Sequence, residues 1–398
     1  MRIGRVTATP VLVPIEAPRR HSDGVTPWTV RTVLQLEADD GAVGLGEVGP
    51  RVSQDRIRAV AAKLKGQDPF ALERLRLLFA AGKFYSQEAA SLFAAIEMAC
   101  LDLQGRDLGR PVSDLLGGAL RDRIPLIAYV FRRDATPTSP PVVSTDEVVV
   151  HTRELVERFG FSTIKLKGGA VPPAEDVETT RALRAAFPRA QLRLDPNGVW
   201  TVETALRVAA ALRETDLEWL EDPTLGIEHM AQVTARGGIP TATNMCVTHF
   251  AELPRAVALR AVDIVLCDLW YWGGLRSSEH LAAICDTFGL GLGIHSGGGS
   301  SELGIGMAAM LHLASTFPAL VHAADAMYHH QTDDVIKGGL LPIEGGSMAV
   351  PPGPGLGVEI DPDRLERYAE RYRETASVRA SRSPDPTRPQ WLPSYPAW

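Results

Sequence analysis

The chain has 398 residues, a formal net charge of −7 and 45% hydrophobic residues. It carries no basic stripe for nucleic acid, and no apolar run approaches the roughly 20 residues that span a bilayer. Its beginning shows no secretory signal pattern. Its four cysteines are far apart, which is typical of reduced thiols in a cytoplasmic enzyme. The composition therefore favours a cytoplasmic protein with neither a nucleic-acid nor a membrane partner.

The first part of the chain predicts a small α+β domain. Residues 1–50 alternate apolar and polar side chains around a turn at Asp39-Asp40-Gly41, which indicates an antiparallel meander. Residues 54–118 show helical periodicity. A barrel of about 200 to 250 residues leaves room for such a second domain in a chain of this length.

Eight strand-like runs follow between Ile124 and Asp325, most of them separated by amphipathic helical stretches. Strands that alternate with helices indicate one parallel sheet, and eight of them favour closure into a (β/α)8-type barrel. The alternative is a doubly wound open sheet, which usually carries a glycine-rich nucleotide fingerprint that is not visible here. The runs are RIPLIAYVF, FSTIKLK, AQLRLD, LEWLE, IPTATN, AVDIVLCD, GLGLGIH and ALVHAAD.

Five of these runs end on a polar residue suited to catalysis or metal binding. Counted from Lys167, the gaps between these residues are 28, 26, 23, 24 and 27, the length of one strand, one helix and two short loops. Such residues would meet at the mouth of the barrel. They are Asp195, Glu221, Asn244, Asp268 and His295.

The first three of them predict a magnesium site. Asp195, Glu221 and Asn244 offer hard oxygen ligands with two negative charges and neither sulfur nor imidazole, a set that suits Mg²⁺. Each residue alone is more often a helix cap or a turn residue. Three in consecutive strand–helix units favour the metal site.

Two bases are predicted beside this metal. His295 on the seventh strand has Asp268 on the sixth to orient its ring, which favours a general base. Lys167 lies on the second strand beside Lys165, and a lysine close to another cation can act as a neutral base. The alternative is that Lys167 only neutralises the acidic ligands and that His295 is a hydrogen-bonded core residue.

This set fits the removal of a proton next to a carboxylate. General base catalysis typically contributes only about 10² to 10⁴-fold, so most of the acceleration must come from stabilising the enediolate that forms. A metal on the substrate carboxylate, helped by cationic Lys165 and by a donor amide such as Asn197, would supply that stabilisation.

At these residues the chain resembles the enolase superfamily, and more closely its glucarate dehydratase subgroup. The subgroup's marks are the asparagine ligand Asn244, the pair Lys165 and Lys167, and the dyad of Asp268 and His295. The resemblance covers nearly the whole chain. Its other segments are STIKLKGG, RLDPNG, WLEDP, ATNM, GIHS, AAIEMACLDLQGRDLGRPVSDLLGG and PGLGVEID.

The resemblance implies a (β/α)7β TIM-type barrel over residues 121–340, with an N-terminal α+β capping domain over residues 1–120. Residues 341–398 would return to complete the capping domain. It also implies a sugar-acid substrate, a Mg²⁺ cofactor and loss of the β-hydroxyl to give a keto-deoxy acid. His295 and Lys167 would act on opposite faces of the substrate, and a homo-oligomer is expected.

The resemblance is weaker where the substrate would be recognised. His21, Tyr129 and Phe131 are the expected substrate contacts. Where the subgroup has a short Asp-Thr-His run, this chain reads Asp325-Ala326-Met327, and Ala94 replaces a threonine. A methionine cannot donate a hydrogen bond to a distal carboxylate, so the chemistry is better predicted than the substrate.

Three functions therefore stay open. The first is an acid-sugar dehydratase, the second a racemase or epimerase that uses the same two bases, and the third a sugar-acid binding protein without turnover.

The sequence also gives three predictions about local structure. The adjacent His329 and His330 should be exposed, the glycines at 297–299 form a flexible turn or a phosphate cradle, and the tail over residues 377–398 is either disordered or bound to a partner subunit.

Overall fold

A computed structural model describes residues 1–79, 86–297, 301–375 and 397–398. The chain starts with an antiparallel three-stranded sheet in the order β1 (Ile3–His21), β2 (Gly24–Ala38) and β3 (Val43–Val48). In the turn after β2, the Asp40 carboxylate accepts a hydrogen bond from the Ala42 amide at 3.0 Å. The predicted meander is confirmed.

Four helices follow this sheet in the chain: α1 (Gln54–Leu64), α2 (Leu72–Phe79), α3 (Gln87–Leu108) and α4 (Val112–Leu115). α1 and α3 contact the sheet, and α2 and α4 pack on α3. Most of α3 is buried, because it lies directly on β3. A Cβ atom at Gly44 or at Gly46 would come within 2.1 Å of a carbonyl oxygen of α3. Only glycine permits this approach, and the capping sheet is therefore fixed on α3.

The barrel is one parallel sheet in chain order from β5 to β11. Neighbouring strands pair so that Lys165 lies beside Tyr129 and Lys167 beside Asp195. The chain order, in which each strand follows its neighbour, excludes the doubly wound alternative. The barrel strands are β5 (Ile127–Val130), β6 (Thr163–Lys167), β7 (Gln191–Asp195), β8 (Trp219–Glu221), β9 (Thr241–Thr243), β10 (Ile264–Cys267) and β11 (Gly291–Ile294). β4 (Arg123–Pro125) precedes them and lies in a separate two-stranded sheet.

Helices surround these strands, and several begin and end as their sequences predict. A capping box at Ser144 starts the first of them, and left-handed glycines such as Gly160 end them. The helices are α5 (Thr145–Phe159), α6 (Pro173–Ala186), α7 (Val202–Leu212), α8 (Ile227–Gly237), α9 (Leu253–Leu259), α10 (Leu269–Trp272), α11 (Leu275–Phe288) and α12 (Gly304–Thr316).

The barrel closes through a short stretch instead of a full eighth strand. Ala324 donates to the Pro125 carbonyl at 2.8 Å and accepts from Ile127 at 3.3 Å, while Asp325 donates to the Ile294 carbonyl at 2.9 Å. The prediction of a complete strand in ALVHAAD is wrong, because its first half lies on the surface, with Val321 81% exposed. The (β/α)7β TIM-type class is confirmed.

The chain after the barrel returns to the capping domain. Strand β12 (Ser347–Ala349) pairs with β4, and α13 (Pro362–Glu374) packs on β1. Between them, the Leu356 amide donates to the buried Asp102 carboxylate of α3 at 2.7 Å. The division of the chain into domains at residues 120 and 340 stays a prediction.

The last two residues bind to the barrel of their own chain. Ala397 and Trp398 donate to the Val199 carbonyl at 2.8 and 3.0 Å, and Thr201 donates to the Trp398 carbonyl at 2.7 Å. The predictions for the rest of the tail and for the glycine turn concern residues 376–396 and 298–300, which lie outside the described residues.

Two further sequence predictions can be compared with the fold. None of the helices in the described ranges combines the length and the apolarity needed to cross a bilayer. The four cysteines are buried free thiols, in agreement with the sequence.

A buried histidine connects the capping domain to the barrel. His312 of α12 accepts a hydrogen bond from the Ser113 amide at Nδ1 (3.3 Å), and its Nε2 lies 3.3 Å from the Leu356 carbonyl. These two contacts require the neutral tautomer, with the proton on Nε2. Burial lowers the pKa of His312 to about 4, although its contact with Leu356 opposes that shift.

We expect His312 to make stability depend on pH. Between pH 6.5 and pH 4 the unfolded chain protonates this histidine and the folded chain does not, so its contribution is complete above pH 6.5 and is lost on acidification. The free energies of unfolding of the wild type and of His312→Gln are measured in urea. The difference between them should be about 3 kcal/mol smaller at pH 4 than at pH 7. His280→Gln, at an exposed position, is the control. A pH-independent difference for His312→Gln would contradict the assignment.

Candidate active site

A cavity of about 510 Å³ lies at the carboxyl ends of the barrel strands. Barrel residues and capping-domain residues line it together, which places the predicted site residues beneath the capping domain. The lining residues are His21, Asp23, Arg51, Gln87, Tyr129, Lys167, Asn197, Leu225, Asn244, Met245, Thr248, His249, Glu252, Tyr271, His295 and Met327.

Lys165 lies among three buried carboxylates. Its ammonium group pairs with Glu221 and Asp325 and lies 3.3 Å from Asp195. Burial opposes the charge, yet Asp325 and Glu221 outweigh burial and hold the pKa of Lys165 well above its usual value. Lys165 is therefore a fixed cation, as the sequence predicted.

Lys167 faces the cavity from the same strand. Its amine donates to Asp195 at 2.7 Å and to the Asn197 side-chain oxygen at 2.8 Å. Burial would raise the pKa of Asp195, but Lys167 and Lys165 together keep it below its usual range. The Tyr129 hydroxyl also donates to Asp195 at 2.9 Å.

Asn197 reaches this position through an unusual backbone conformation. Its φ of 64° is left-handed, which asparagine tolerates better than most residues, and its amide donates to Asp195 at 3.0 Å. Its side-chain nitrogen lies 3.2 Å from the Ser22 hydroxyl in the turn between β1 and β2. Asn197 therefore connects the reacting end of the cavity with the capping domain.

The three predicted metal ligands lie together. Asp195 and Glu221 both contact Lys165, and the Asn244 side-chain nitrogen donates to Glu221 at 2.8 Å. Asp222 accepts from the Asn244 backbone at 2.8 Å and so fixes where β9 ends. Glu221 is buried among other carboxylates, and burial first and then Asp195 and Asp325 raise its pKa well above the usual value.

This donor set fits a hard divalent cation. Burial, and after it the neighbouring carboxylates Asp195 and Asp325, raise the pKa of Glu221 against the effect of Lys165, and a bound cation would favour the charged form of Glu221. Asn244 would turn its amide so that the oxygen faces the ion. Within the described residues no three His, Cys, Asp or Glu side chains are arranged to hold a metal, so the asparagine is essential to the assignment.

His295 and Asp268 form the predicted dyad. The Asp268 carboxylate lies 2.7 Å from Nδ1 of His295, and its other oxygen accepts from the Trp270 amide at 2.9 Å. With the Nδ1 proton directed at Asp268, Nε2 carries the lone pair of the base. Tyr271 stacks on the imidazole with the ring centroids 6.1 Å apart.

The three predicted substrate contacts occupy different positions. His21 and Tyr129 line the cavity, whereas Phe131 lies behind them, with ring centroids 5.2 Å from His21 and 4.5 Å from Tyr129. Phe131 thus supports the wall of the cavity instead of forming it, which corrects its place in the prediction. Met327 lines the cavity as expected.

Two other predictions need correction. Ala94 is buried in α3 and is not among the lining residues, because that part of the helix lies on β3. The prediction that His329 and His330 are exposed is wrong. Both are buried, and Nε2 of His330 lies 2.7 Å from the Tyr129 carbonyl. Burial, helped by Arg19, lowers the pKa of His329 to about 3.

Several residues of the site were missed in the sequence. Asp325 pairs with Lys165 and Arg193, and it ends the last strand-like run 30 residues after His295, so the strand-end rule alone could have included it. Arg51 and Gln87 come from the capping domain, and Tyr271 comes from the short helix α10. No spacing in the sequence indicates that they reach the cavity.

Comparisons with known proteins agree with this geometry. A family model described as "Enolase C-terminal domain-like" matches residues 147–364, and one described as "Mandelate racemase / muconate lactonizing enzyme, N-terminal domain" matches residues 5–117. The chain belongs to the enolase superfamily. Sites of this superfamily combine a lysine or histidine base with one or two Mg²⁺ ions that stabilise an ene-diolate.

Two curated relatives differ in the reaction that they catalyse. A probable glucarate dehydratase from Streptomyces coelicolor is 40% identical over all of this chain and 99% of its own. A chloromuconate cycloisomerase from Pseudomonas putida is 28% identical over 92% of this chain and 99% of its own. Relatives of this chain thus include enzymes of two different reaction classes.

Two solved structures match the whole chain. An enolase from Mycobacterium smegmatis complexed with tartrate has a TM-score of 0.92 at 43% identity, and the match covers 100% of this chain and 98% of that one. An enolase from Thermobispora bispora complexed with magnesium and formate has a TM-score of 0.93 at 41% identity and is matched over the full length of both chains.

Proposed function

We propose that this enolase-superfamily member is a Mg²⁺-dependent acid-sugar dehydratase that acts on a hydroxy dicarboxylic acid. The observation that carries the proposal is that Lys167, Asn244 and His295 line one cavity, with Asp268 bound to His295 and with the buried carboxylates Asp195 and Glu221 beside Lys167 and Asn244. The similarity to a probable glucarate dehydratase supports the same chemistry.

Asp195, Glu221 and Asn244 would hold the metal, and a bound Mg²⁺ would supply positive charge for the substrate carboxylate as it becomes an enediolate. Lys165 adds a fixed charge, because the three carboxylates around it outweigh the effect of burial and hold its pKa well above the usual value. The Asn197 side-chain nitrogen, now directed at Ser22, is the donor for an enediolate oxygen.

The proton steps belong to the two bases. Nε2 of His295 removes the α-proton, the α-carbon then forms a double bond to the β-carbon, and the β-hydroxyl leaves. The protonated His295 returns that proton to the hydroxyl, so that one water is released and the enol becomes a keto-deoxy acid. Lys167, next to Asn197, would remove the α-proton of the opposite configuration.

A racemase or epimerase is the second candidate, because two bases in one cavity can move a proton from one face of a carbon to the other. The similarity to a cycloisomerase also keeps a reaction without loss of water in consideration. Retention of every reacting group argues against a binding protein without turnover.

The deciding experiment is proton NMR of the protein with Mg²⁺ in D₂O against hexarates, pentarates and aldonates. We expect a keto-deoxy product from a hexarate or pentarate. His295→Asn should abolish dehydration of one epimer, by about 10³-fold or more, while exchange by Lys167 continues. Exchange without elimination in the wild type would establish the epimerase, and binding without any turnover the third function.

The metal site can be tested without turnover. Asn244→Ala removes one oxygen ligand, so the dissociation constant for Mg²⁺ measured by calorimetry should rise at least about tenfold, and the increase in melting temperature on adding MgCl₂ should shrink. Met245→Leu changes the next residue of the cavity wall without removing a ligand. Equal Mg²⁺ affinity in both variants would exclude Asn244 as a ligand.

The rim of the cavity indicates an acidic distal group. Met327 cannot donate to a carboxylate, whereas Arg51 lines the cavity with its guanidinium 3.4 Å from Gln87 and 6.0 Å from the centre of the Tyr271 ring. Because Tyr271 in turn stacks on His295, Arg51 lies one aromatic ring away from the base. A substrate that reaches from His295 to Arg51 would carry its second carboxylate there.

Arg51→Gln should therefore impair dicarboxylates selectively. We expect kcat/KM for an active diacid to fall about 10 to 100-fold, the equivalent of one charged hydrogen bond, with little change for a monocarboxylic aldonate. Arg74→Gln, an exposed position away from this cavity, is the control. A similar loss for diacids and aldonates would show that Arg51 does not recognise the distal carboxylate.

A further inference from the structure

A buried ion pair of the capping domain reaches into the barrel. Arg31 on β2 and Glu47 on β3 lie on neighbouring strands, with Nε and Oε1 3.2 Å apart, and both side chains are 0% exposed. Their remaining hydrogen-bonding groups face the chain that follows His295. We call Arg31 and Glu47 the capping clamp.

Arg31 binds both sides of the loop after β11. Its Nε donates to the Ser301 carbonyl at 2.7 Å, and Nη2 donates to the Gly297 carbonyl, two residues after His295. The guanidinium group also lies over Trp270, 5.2 Å from the ring centre. The planar fork of arginine suits two carbonyls at once, which the single ammonium group of a lysine does not.

Glu47 holds the start of the next helix. Its carboxylate accepts from the Leu303 amide at 3.0 Å and from the Gly306 amide at 2.8 Å, so it caps the N-terminus of α12 from another domain. Within the barrel, the Ser296 hydroxyl donates to Glu302 at 2.9 Å. The described residues on both sides of positions 298–300 are thus bound.

The fit on both sides of the clamp is close. A Cβ atom at Gly297 would lie 3.1 Å from Nη2 of Arg31 and 2.8 Å from Glu302. A Cβ atom at Gly306 would lie 2.8 Å from Glu47. A buried ion pair is by itself weak evidence for stability, and an apolar pair could fill the same space. An apolar pair could not satisfy two loop carbonyls and two helix amides, so the contacts specify the position of the segment.

The loop beside the other base is held differently. Asp176 of α6 accepts from the Gly169 amide at 2.7 Å, and Arg132 donates to Asp176 at 3.2 Å. Arg132 and Asp176 are about as buried as the two residues of the capping clamp, but both belong to the barrel. The loop after Lys167 is thus bound by a pair from the barrel itself, whereas the chain after His295 is bound by a pair from the capping domain.

We propose that Arg31 and Glu47 are positioning residues through which the capping domain fixes the His295 loop and so controls the His295-dependent step. This inference rests on the proposed function in that it needs His295 to act as the dehydrating base. Beyond the proposed function, we expect that removing the clamp affects the two bases differently. Lys167 continues to exchange a proton, while the dehydration that depends on His295 fails.

The test compares Arg31→Lys with Arg132→Lys, its matched variant in the barrel. With the acid found active by NMR, Arg31→Lys should lower kcat for dehydration about 10 to 100-fold and change the Lys167-dependent deuterium exchange less than about threefold. Arg132→Lys should have the opposite effect and impair the Lys167-dependent deuterium exchange more than the dehydration. Equal loss of both activities in Arg31→Lys, or loss of neither, would overturn the proposal. If Arg31→Lys does not fold, Glu47→Gln makes the same comparison with the side-chain shape retained.

Hydrogen–deuterium exchange distinguishes failure of this inference from failure of the proposed function. In Arg31→Lys and in Glu47→Gln, amides at residues 303–306 should exchange at least tenfold faster, and those of α5 should be unchanged. This outcome supports the clamp even if no acid is turned over. Unchanged protection at residues 303–306 would disprove it even in an active dehydratase.

Discussion

The site depends on the balance of charge around Lys165. Three carboxylates from β7, β8 and the closing stretch of the barrel meet at this one ammonium group, and none of the four side chains is more than 2% exposed. Charges buried in this way are stable only as a set, because removing one partner leaves another without compensation. The floor of the cavity is therefore both a structural element and the source of its chemistry.

Asp325 takes part both in closing the barrel and in balancing the charge of Lys165. Its amide donates to the Ile294 carbonyl next to His295, while its carboxylate binds Lys165 and, at 2.8 Å, Arg193. One residue thus joins the last strand to the first half of the barrel and also neutralises the fixed cation. In the proposed function, Asp325 would still balance the charge of Lys165 when Glu221 and Asp195 hold a divalent ion.

The sequence predicts the parts of the site that follow from local periodicity. A polar residue at the end of each parallel strand must reach the same end of the barrel, so the positions of Asp195, Glu221, Asn244 and His295 follow from spacing. Contacts between segments far apart in the chain have no such signal. Glu47 binds Leu303 across 256 residues, and nothing in either local sequence indicates this pairing.

The predictions that were wrong also concern features that depend on contacts between distant segments. ALVHAAD has the composition of a buried strand, yet only residues 324 and 325 bond to both neighbours, because two backbone bridges suffice to close the barrel. His329 and His330 look like surface residues until the fold encloses them with Phe131, Phe159 and Phe161. Burial of a neutral imidazole depends on the surrounding tertiary structure, which residue type alone cannot predict.

The residues proposed to react and the residues that would recognise the rest of the substrate lie in different parts of the cavity. The reacting groups project from rigid strands and from loops bound by buried ion pairs, where small displacements would be costly. The rim is formed by His21 at the end of β1 and by Arg51 and Met327 in loops, and loops tolerate substitution more easily than strands. Met327 lines this rim and cannot donate a hydrogen bond, and it lies outside the charged cluster around Lys165, so a substitution at position 327 would change the contacts to a substrate and leave those charges in place.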